Sequence, residues 1–417
     1  MAEKHDHEAA LEAAAHDSLA ARSGTKGALL GAMFLMATSA IGPGFITQTT
    51  VFTAQLGAAF AFAILVSIVV DIAVQLNVWR VIGVSGMRAQ DLANAVIPGF
   101  GFFLAALVVF GGLVFNIGNI GGTGLGVNAM LGTDATIGGA ISALIAIGIF
   151  LSKKAGVAMD RIVVVLGIVM IAMVTWAAIT TNPPYGEALE QTVLPDEVSF
   201  LIITTLIGGT VGGYITYAGA HRLVDSGITG PAHVGRITRG SVTGILVTGV
   251  MRALLFLAIL GVVAGGVSLA NSDNPPATAF EAALGQVGMI VFGVILWAAS
   301  ITSVIGASYT SVSFLTTFSD AVARHRSWVV VGFIVISTAI FVMIGQAPEN
   351  LLVLAGALNG LILPFGFGVL VWIAWRRRDL LNGYVYPKWL ATIGLVVWLL
   401  TIYLGWQSLG GITALWQ

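Results

Sequence analysis

The feature that most constrains this chain is a break inside its first long apolar segment, where the sequence reads Gly42-Pro43-Gly44-Phe45. Proline removes a backbone donor and clashes with the preceding helical turn, and the two glycines weaken a helix further. Within a bilayer, the backbone groups freed in this way need partners from protein, water or an ion. The break therefore predicts an interrupted transmembrane helix that lines a cavity near the middle of the membrane.

A second break with the same pattern lies in the other half of the chain. Residues 213–216 read Gly-Tyr-Ile-Thr and match Gly-Phe-Ile-Thr at 44–47, with one aromatic residue in place of the other. Interrupted helices at corresponding places in two halves of a chain point to a transporter binding site. The alternative is that these glycines only allow close helix packing, as is common in membrane proteins. The proline and the second copy of the pattern favour a binding site.

The composition is that of a membrane protein. Hydrophobic residues make up 57% of the 417 residues and charged residues only 9%, whereas about a quarter of a soluble domain is charged. The net charge of −1 argues against a nucleic-acid partner. The chain has no cysteine, which excludes disulfides and thiolate metal sites. Residues 1–27 are polar and predict a cytoplasmic, poorly ordered tail without a cleavable signal.

Apolar runs long enough to cross a bilayer predict eleven membrane-spanning helices. They lie at about 28–54, 59–82, 100–127, 136–152, 161–180, 200–221, 240–266, 285–317, 328–346, 350–375 and 389–410. No linker or low-complexity stretch divides them, so residues 28–417 are expected to form a single transmembrane domain.

The charges in the loops between these spans alternate from one side to the other. Lysine and arginine fall on the side that also holds the N-terminus, at Lys4, Arg22, Lys26, Arg80, Arg88, Lys153, Lys154, Arg161, Arg222, Arg236, Arg239, Arg324, Arg326, Arg376, Arg377, Arg378 and Lys388. The opposite loops carry acids only, at Asp134, Glu187, Glu190, Asp196, Glu197, Asp273, Glu281 and Glu349. Because positive loops stay in the cytoplasm, we expect a cytoplasmic N-terminus and an extracellular C-terminus in the plasma membrane.

The order of the spans predicts the fold class. Spans one to five, at about 28–180, and spans six to ten, at about 200–375, have opposite orientations because five is an odd number. Each group begins with a broken helix, which is the arrangement of LeuT-type transporters with inverted repeats. We therefore expect an all-α polytopic membrane protein of the LeuT-type fold, with helices one and six broken and the span at 389–410 added.

Two charged residues lie well inside apolar spans and are candidates for function. They are Asp71 in the second span and Arg252 in the seventh. Ionisable groups within a membrane are costly and often functional, although each can also serve only to pair with another helix. Neither lies on a broken helix, so Asp71 is treated as an accessory candidate.

The broken helices themselves offer only neutral groups to a bound ion. The predicted binding region consists of Gly42, Phe45, Thr47, Gln48, Gly209, Thr210, Gly212 and Tyr214, with Gly42, Gln48, Gly209 and Thr210 as metal contacts, partly through water. Oxygen groups without charge suit Mg²⁺, which keeps much of its water shell. A transition-metal site would be expected to contain imidazole or sulfur. Each threonine can instead hydrogen-bond back to its own helix.

Further polar residues lie in neighbouring spans. Asn116 and Asn119 are three residues apart and share a helix face, and Asn359 stands beside Gly360 in the tenth span. Asn116 and Asn359 are accessory candidates that either line a polar path or hold helices together. His221 is expected in a loop at the cytoplasmic end of the sixth span.

With these motifs, the chain resembles the natural-resistance-associated macrophage protein (Nramp) family of divalent-metal transporters over nearly its whole length. Family members carry Asp-Pro-Gly-Asn on helix one, where this chain has Gly42-Pro43-Gly44-Phe45. They carry Met-Pro-His on helix six, where it has Gly212-Gly213-Tyr214. The stretch around Asn359 is also similar. The resemblance implies the LeuT-type fold with broken first and sixth helices.

The departures from the family pattern concern the metal ligands. The family's metal-binding Asp and Asn fall on Gly42 and Phe45, its sulfur ligand on Gly212, and two histidines on Tyr214 and Gly219. The chain is most similar to the Nramp-related magnesium transporters, a branch that has lost the same residues. We accordingly expect methionine at Gly212 to raise the affinity for cadmium or manganese.

The sequence thus predicts a transporter for hydrated Mg²⁺, with Mn²⁺ tolerated, that works by alternating access with little or no proton coupling. The alternatives are an Nramp-like carrier of a small organic solute flanked by Phe45, Tyr214 and Tyr217, and a proton-coupled transition-metal transporter. A membrane sensor or scaffold has little support, since the loops are short. No enzyme is expected, because no nucleophile–base pair is present. The expected partners are the cation and the lipid bilayer, without a cofactor, a nucleic acid or an obligatory protein partner.

Overall fold

The structure is a computed structural model that describes residues 41–270 and 272–414. The side chains of 153–157, 160, 161, 413 and 414 lie outside this description, as do the tail at 1–27 and most of the first half of the first predicted span. Helices account for nearly all of the described chain.

The structure describes the C-terminal side of the first break, from residue 41 onward. Helix α1 (Pro43–Leu56) begins at Pro43, whose ring fixes φ at a helical value, and Gly42 before it is extended with φ −96° and ψ −170°. The predicted bounds of 42–45 are wrong on this side, because Gly44 and Phe45 already belong to the first turn of α1. Pro43 packs against Gly122 of a neighbouring helix, where a Cβ atom would collide with the proline ring.

The second break separates helix α8 (Phe200–Thr210) from helix α9 (Ile215–Asp225). The interruption covers 211–214 rather than the predicted 208–214, since Gly208 and Gly209 remain helical. Gly213 has a φ of 51°, a left-handed conformation that glycine adopts at little cost. A single hydrogen bond from the Ile215 amide to the Gly212 carbonyl, 3.0 Å long, closes the turn.

Most of the remaining helices follow the predicted spans. They are α2 (Phe60–Ser85), α3 (Ala89–Val96), α4 (Phe100–Leu131), α5 (Ala135–Leu151), α6 (Lys153–Thr180), α7 (Tyr185–Gln191), α10 (Val234–Ala264), α11 (Pro275–Leu315), α12 (Asp320–Arg324), α13 (Arg326–Ile344), α14 (Pro348–Arg376) and α15 (Lys388–Ala414). The short helices α3, α7 and α12 were not predicted. Helix α11 starts ten residues before its predicted span and contains a kink at Gly285, where φ is 73°.

Nine helical segments of the described chain are long and apolar enough to cross a membrane, and α5 is a shorter apolar helix. This number treats Pro43–Ser85 as one segment, although it contains both α1 and α2. A 3₁₀ turn at Gly57–Ala59 separates these two helices, and Gly57 there has φ 55° and ψ −132°. The number of membrane crossings therefore stays a prediction, as does the division into a tail and one transmembrane domain.

Loops that the charge pattern assigns to the cytoplasm contact one another. Arg88, after α2, forms a 2.7 Å ion pair with Asp225 at the end of α9 and donates a 2.9 Å hydrogen bond to the Thr316 hydroxyl after α11. Arg377, after α14, donates to the Ala95 carbonyl at 3.0 Å. These contacts place the ends of five helices at one face of the bundle.

Close approach of helix α8 to helix α14 holds the second break in place. A Cβ atom on Gly208 would overlap the Gly356 carbonyl, and one on Gly360 would lie 2.6 Å from the Thr204 carbonyl. Small residues at such crossings let the two backbones touch. This close packing stabilises helix association in a bilayer, where the hydrophobic effect does not drive helices together. The C-terminal end of α8 is thereby fixed against the middle of α14.

Candidate functional site at the two helix breaks

The Gln48 side chain joins the two breaks. It lies on the second turn of α1, and its amide nitrogen donates a 3.0 Å hydrogen bond to the Leu352 carbonyl of α14. A Cβ atom on Gly209 would lie 2.6 Å from Gln48 Oε1, and one on Gly356 would lie 2.5 Å from Nε2. The amide is therefore wedged between α8 and α14, and its Oε1 is buried without a hydrogen-bond partner in the described chain.

The threonine hydroxyls around the breaks divide into two groups. Thr49, Thr50 and Thr210 donate to the carbonyl four residues earlier, at 2.7, 3.0 and 2.9 Å, as ordinary back-bonding predicts. Thr47 is fully buried, and its hydroxyl has no partner in the described chain. Thr47 and Gln48 thus present unpaired oxygens on the first two turns of α1.

The buried charged residues meet at the first break. The Arg252 guanidinium of α10 stacks over the Phe45 ring, with Cζ 4.4 Å from the ring centroid. Arg252 is only 2% exposed, and its Nε and Nη2 groups have no partner among the described residues. Asp71 of α2 interacts electrostatically with Arg252 and lies beside the Thr210 hydroxyl at the end of α8. The two charges are not within 4 Å of each other, and Asp71 Oδ1 is also unpaired.

Tyr214 and Asn359 line the second break. Tyr214 is buried, with its ring edge-to-face on Phe115 at 5.6 Å, and its hydroxyl lies near Asn119. Asn359 donates to the Gly111 carbonyl at 3.1 Å and to the Ala355 carbonyl at 2.8 Å. Its Oδ1 is unpaired in the described chain. Asn119 Nδ2 is likewise buried without a partner in the described chain, so the second break has an unpaired donor and an unpaired acceptor.

Asn116 does not reach the breaks. Its amide donates to the Ser308 hydroxyl at 3.1 Å and to the Ser337 hydroxyl at 3.0 Å, so it ties α4 to α11 and α13. Tyr217, named with the organic-solute alternative, turns its hydroxyl toward Gly366 and packs its ring on Phe314 at 5.3 Å. Both residues therefore have packing partners away from the breaks.

The expectation that His221 is a loop residue is wrong. His221 lies in α9, is 3% exposed, and accepts a hydrogen bond from the Ala89 amide at 3.3 Å. Its other ring nitrogen is 3.4 Å from the Ser313 hydroxyl. It borders a polar cavity of about 230 Å³ at the end of the bundle that carries the Arg88–Asp225 ion pair.

Methionine at Gly212, which we expect to raise the affinity for cadmium or manganese, does not fit this backbone without a shift of its neighbours. A Cβ atom there would lie 2.6 Å from the Gly208 carbonyl and 2.7 Å from the Asn359 carbonyl. A side chain at this position would press on two backbones, because it points into the crossing of α8 and α14. In the described chain, no group of three or more His, Cys, Asp or Glu side chains is arranged to hold a metal ion.

Sequence reasoning noted Arg252 and Asn119 but left both out of the binding region. The charge of Arg252 inside an apolar span was the available signal. What the sequence could not provide was the face of α10 that this residue occupies, since helix α10 has nonpolar residues on most of its surface.

Comparison with known proteins decides the family. The family model of natural resistance-associated macrophage protein-like proteins matches residues 33–410. The chain belongs to the Nramp family. A membrane protein of Bacillus subtilis, YcsG, is 52% identical over 388 residues, which cover 93% of this chain and 95% of that protein. A membrane protein of Haemophilus influenzae is 52% identical over 369 residues, with 88% and 92% covered.

Solved structures share the fold of this Nramp chain. A manganese transporter of Eremococcus coleocola has a TM-score of 0.71 at 16% identity, with 92% of this chain and 86% of that chain covered. The transporter MhsT, solved in complex with L-phenylalanine, has a TM-score of 0.67 at 17% identity, with 90% and 98% covered. The all-helical LeuT-type fold predicted from the sequence is confirmed.

Membership of the Nramp family has direct consequences for function. Nramp proteins are transporters and not enzymes, and they carry metal as a substrate and not as a cofactor. The family and its structural neighbours support divalent-metal transport as the general function of this chain. The magnesium preference, the coupling and the binding residues stay predictions.

We expect alanine at Gly213 to damage the second break, because its Cβ atom would overlap Asn359 Oδ1 and the backbone has φ 51°. Gly44→Ala has room, with the nearest atom 3.6 Å away. Gly132→Ala is the control, because it places an alanine at φ 67° with no atom within 4 Å of its Cβ. It therefore reports only the cost of the left-handed backbone, about 1–2 kcal/mol.

The measurement is the melting temperature of each purified variant in detergent, together with its uptake activity in liposomes. Gly213→Ala should lose more of both than Gly132→Ala, and Gly44→Ala should match the unmodified protein. Equal behaviour of Gly213→Ala and Gly132→Ala would contradict the packing of Asn359 against this turn.

Proposed function

We propose that this Nramp protein carries a divalent cation across the plasma membrane by alternating access, with Mg²⁺ preferred and Mn²⁺ tolerated. The cation is expected to sit between the two helix breaks and to keep part of its water shell. Its protein contacts are Gln48, Thr210 and the carbonyls of Gly42 and Gly209, with Thr47, Tyr214 and Asn359 nearby. A cytoplasmic N-terminus and an extracellular C-terminus belong to the same proposal.

The observation that supports the proposal is the set of unpaired neutral oxygens at the breaks. Thr47 Oγ1, Gln48 Oε1 and Asn359 Oδ1 are buried and lack partners in the described chain. A buried polar atom without a protein partner is costly, and such atoms commonly bind water or an ion. Neutral oxygens that contact an ion through its bound water suit Mg²⁺, because Mg²⁺ dehydrates reluctantly.

The end of α8 adds a favourable field for a cation. The last carbonyls of a helix carry partial negative charge, and broken helices in transporters direct such ends at coupling ions. Helix α8 ends at Thr210, beside Gln48 and Asp71. The absence of sulfur and imidazole ligands from the candidate residues removes the advantage that soft metals have in other sites.

We expect Gln48→Ala combined with Thr210→Ala to lower Mg²⁺ uptake at least about tenfold, the loss of roughly one charge-assisted contact. Thr50→Val is the matched control, because Thr50 lies on the same helix as Gln48, its hydroxyl donates to the Ile46 carbonyl, and it is not among the proposed contacts of the ion. Uptake is measured in proteoliposomes with a magnesium-sensitive dye and a potassium-diffusion potential. Unchanged uptake in the double variant would remove both residues from the site.

Proton coupling is expected to be weak, because none of the proposed contacts titrates near neutral pH. The membrane potential can drive the cation instead, at about 2.3 kcal/mol per charge per 100 mV, or about 4.6 kcal/mol for a divalent ion. A pH-sensitive dye inside the liposomes should report little proton entry during Mg²⁺ uptake. Proton entry that rises with external Mg²⁺ and disappears in Asp71→Asn would make the protein a proton symporter.

A second candidate function is the carriage of a small organic solute, and Arg252 favours it. A fixed guanidinium at the first break repels a divalent cation, and none of the residues proposed to contact the ion is an acid. Phe45 provides an apolar surface beside this charge, which is a common arrangement in sites for small molecules.

A further inference from the structure

The N-terminal end of α1 carries backbone hydrogen-bond donors that have no acceptor within the helix. Pro43 occupies the first helical position, so the amides of Gly44 and Phe45 have no intrahelical acceptor. The first hydrogen bond of the helix, from Ile46 to the Gly42 carbonyl, is long at 3.4 Å. Helix N-termini of this kind bind anions, and in broken transporter helices they point at anionic groups of the substrate.

Arg252 is a second and independent indication of an anion at this place. Its guanidinium covers the Phe45 ring in the first turn of α1, at 4.4 Å from the centroid. The residue is only 2% exposed, and its Nε and Nη2 donors have no acceptor in the described chain. These two nitrogens lie on one edge of the guanidinium fork, the edge that binds a carboxylate through two parallel hydrogen bonds.

Asp71 shows what else the ligand needs. The carboxylate of Asp71 is near enough to interact with Arg252, yet the two form no ion pair within 4 Å, and Oδ1 has no donor among the described residues. An unpaired buried acceptor beside unpaired buried donors is costly for both groups. A solute that carries both a carboxylate and an N–H group satisfies all of them at once.

We propose that Arg252 and the N-terminal end of α1 bind the carboxylate of a small organic acid that also carries an N–H group. Asp71 accepts a hydrogen bond from that N–H group. Amino acids and N-acylated amino acids have this chemistry. Phe45 contacts the carbon skeleton, and the Arg252 guanidinium is held in place by the same ring. The carboxylate also supplies the negative charge that the cation site lacks at Gly42, so a cation can bind at the α8 end together with it.

This inference deepens the second candidate function and rests on transport through the same central site, but it does not depend on cation transport. Cation and carboxylate are accordingly assayed separately and together. The probes are L-alanine, L-proline, N-acetyl-L-alanine and propionate, the last of which has no N–H group. Binding is measured as the shift in melting temperature of the purified protein, and transport as uptake of the carbon-14 compounds into proteoliposomes with and without Mg²⁺.

We expect at least one N–H-bearing acid to bind and to enter the liposomes, and propionate to bind at least about tenfold more weakly. Arg252→Gln should abolish the melting shift and the uptake, and Arg252→Lys should weaken binding at least about tenfold, because lysine keeps the charge but loses the fork. Asp71→Asn should reduce the preference over propionate. Arg80→Gln is the matched control, since Arg80 is a buried arginine far along α2 that donates to the Thr238 hydroxyl at 2.7 Å.

The outcomes separate the two proposals. Mg²⁺ uptake without binding of any probe overturns the carboxylate site and leaves the cation function standing. Carboxylate uptake without Mg²⁺ uptake supports the carboxylate site and contradicts the proposed cation transport. Uptake of each only in the presence of the other supports joint transport. Binding that survives in Arg252→Gln overturns the site, and if that variant does not fold, unchanged affinity in Arg252→Lys overturns it equally.

Discussion

Backbone groups that an interrupted helix frees inside a bilayer must find partners, and the architecture around the two breaks follows from this requirement. Helix α1 starts at Pro43, which has no N–H group that would need an acceptor, and Gly42 before it is extended. Helix α8 stops at Thr210, and its final turns are held against α14 by the close approach of Gly208 to Gly356. The Gln48 amide fills the space between α1, α8 and α14. The result is a pair of helix ends with opposite partial charges at the centre of the bundle.

The second constraint is the charge of Arg252, which lies in the middle of an apolar helix and is stacked on Phe45. A buried guanidinium requires acceptors, since leaving its donors unpaired is expensive. Phe45 stands where the resembled family has a metal-binding amide, and Gly42 stands where it has a carboxylate. Replacement of those two ligands by a glycine and an aromatic residue thus coincides with a fixed positive charge at the same break. The two changes fit each other, because the Phe45 ring attracts the guanidinium through a cation–π contact and the fixed positive charge repels a metal ion at the same place.

Much of the fold could be predicted from the sequence, because bilayer thickness and backbone pairing restrict apolar runs to helices. The breaks at Pro43 and around Gly213 were predicted from proline and glycine alone. Their predicted bounds were wrong where the structure shows Phe45 and Gly208 to be helical. The site was harder to predict, because periodicity is weak in helices that are apolar on most sides. The roles of Asn116, His221 and Gly212 depend on which neighbour each one faces, and that information comes only from packing. The unpaired edge of Arg252 could not be read from its position in the chain.

We infer that the two breaks meet around the Arg252 guanidinium, whose Nε and Nη2 have no partner in the described chain. The most direct test is an electron cryo-microscopy structure in lipid nanodiscs at a resolution that shows side chains. We expect interruptions before Pro43 and at 211–214, with Arg252 over Phe45 and separate from Asp71, and with density for a small ligand between them when cargo is present. A continuous helix through Pro43, or a direct Arg252–Asp71 ion pair that leaves no unpaired donors, would contradict the claim.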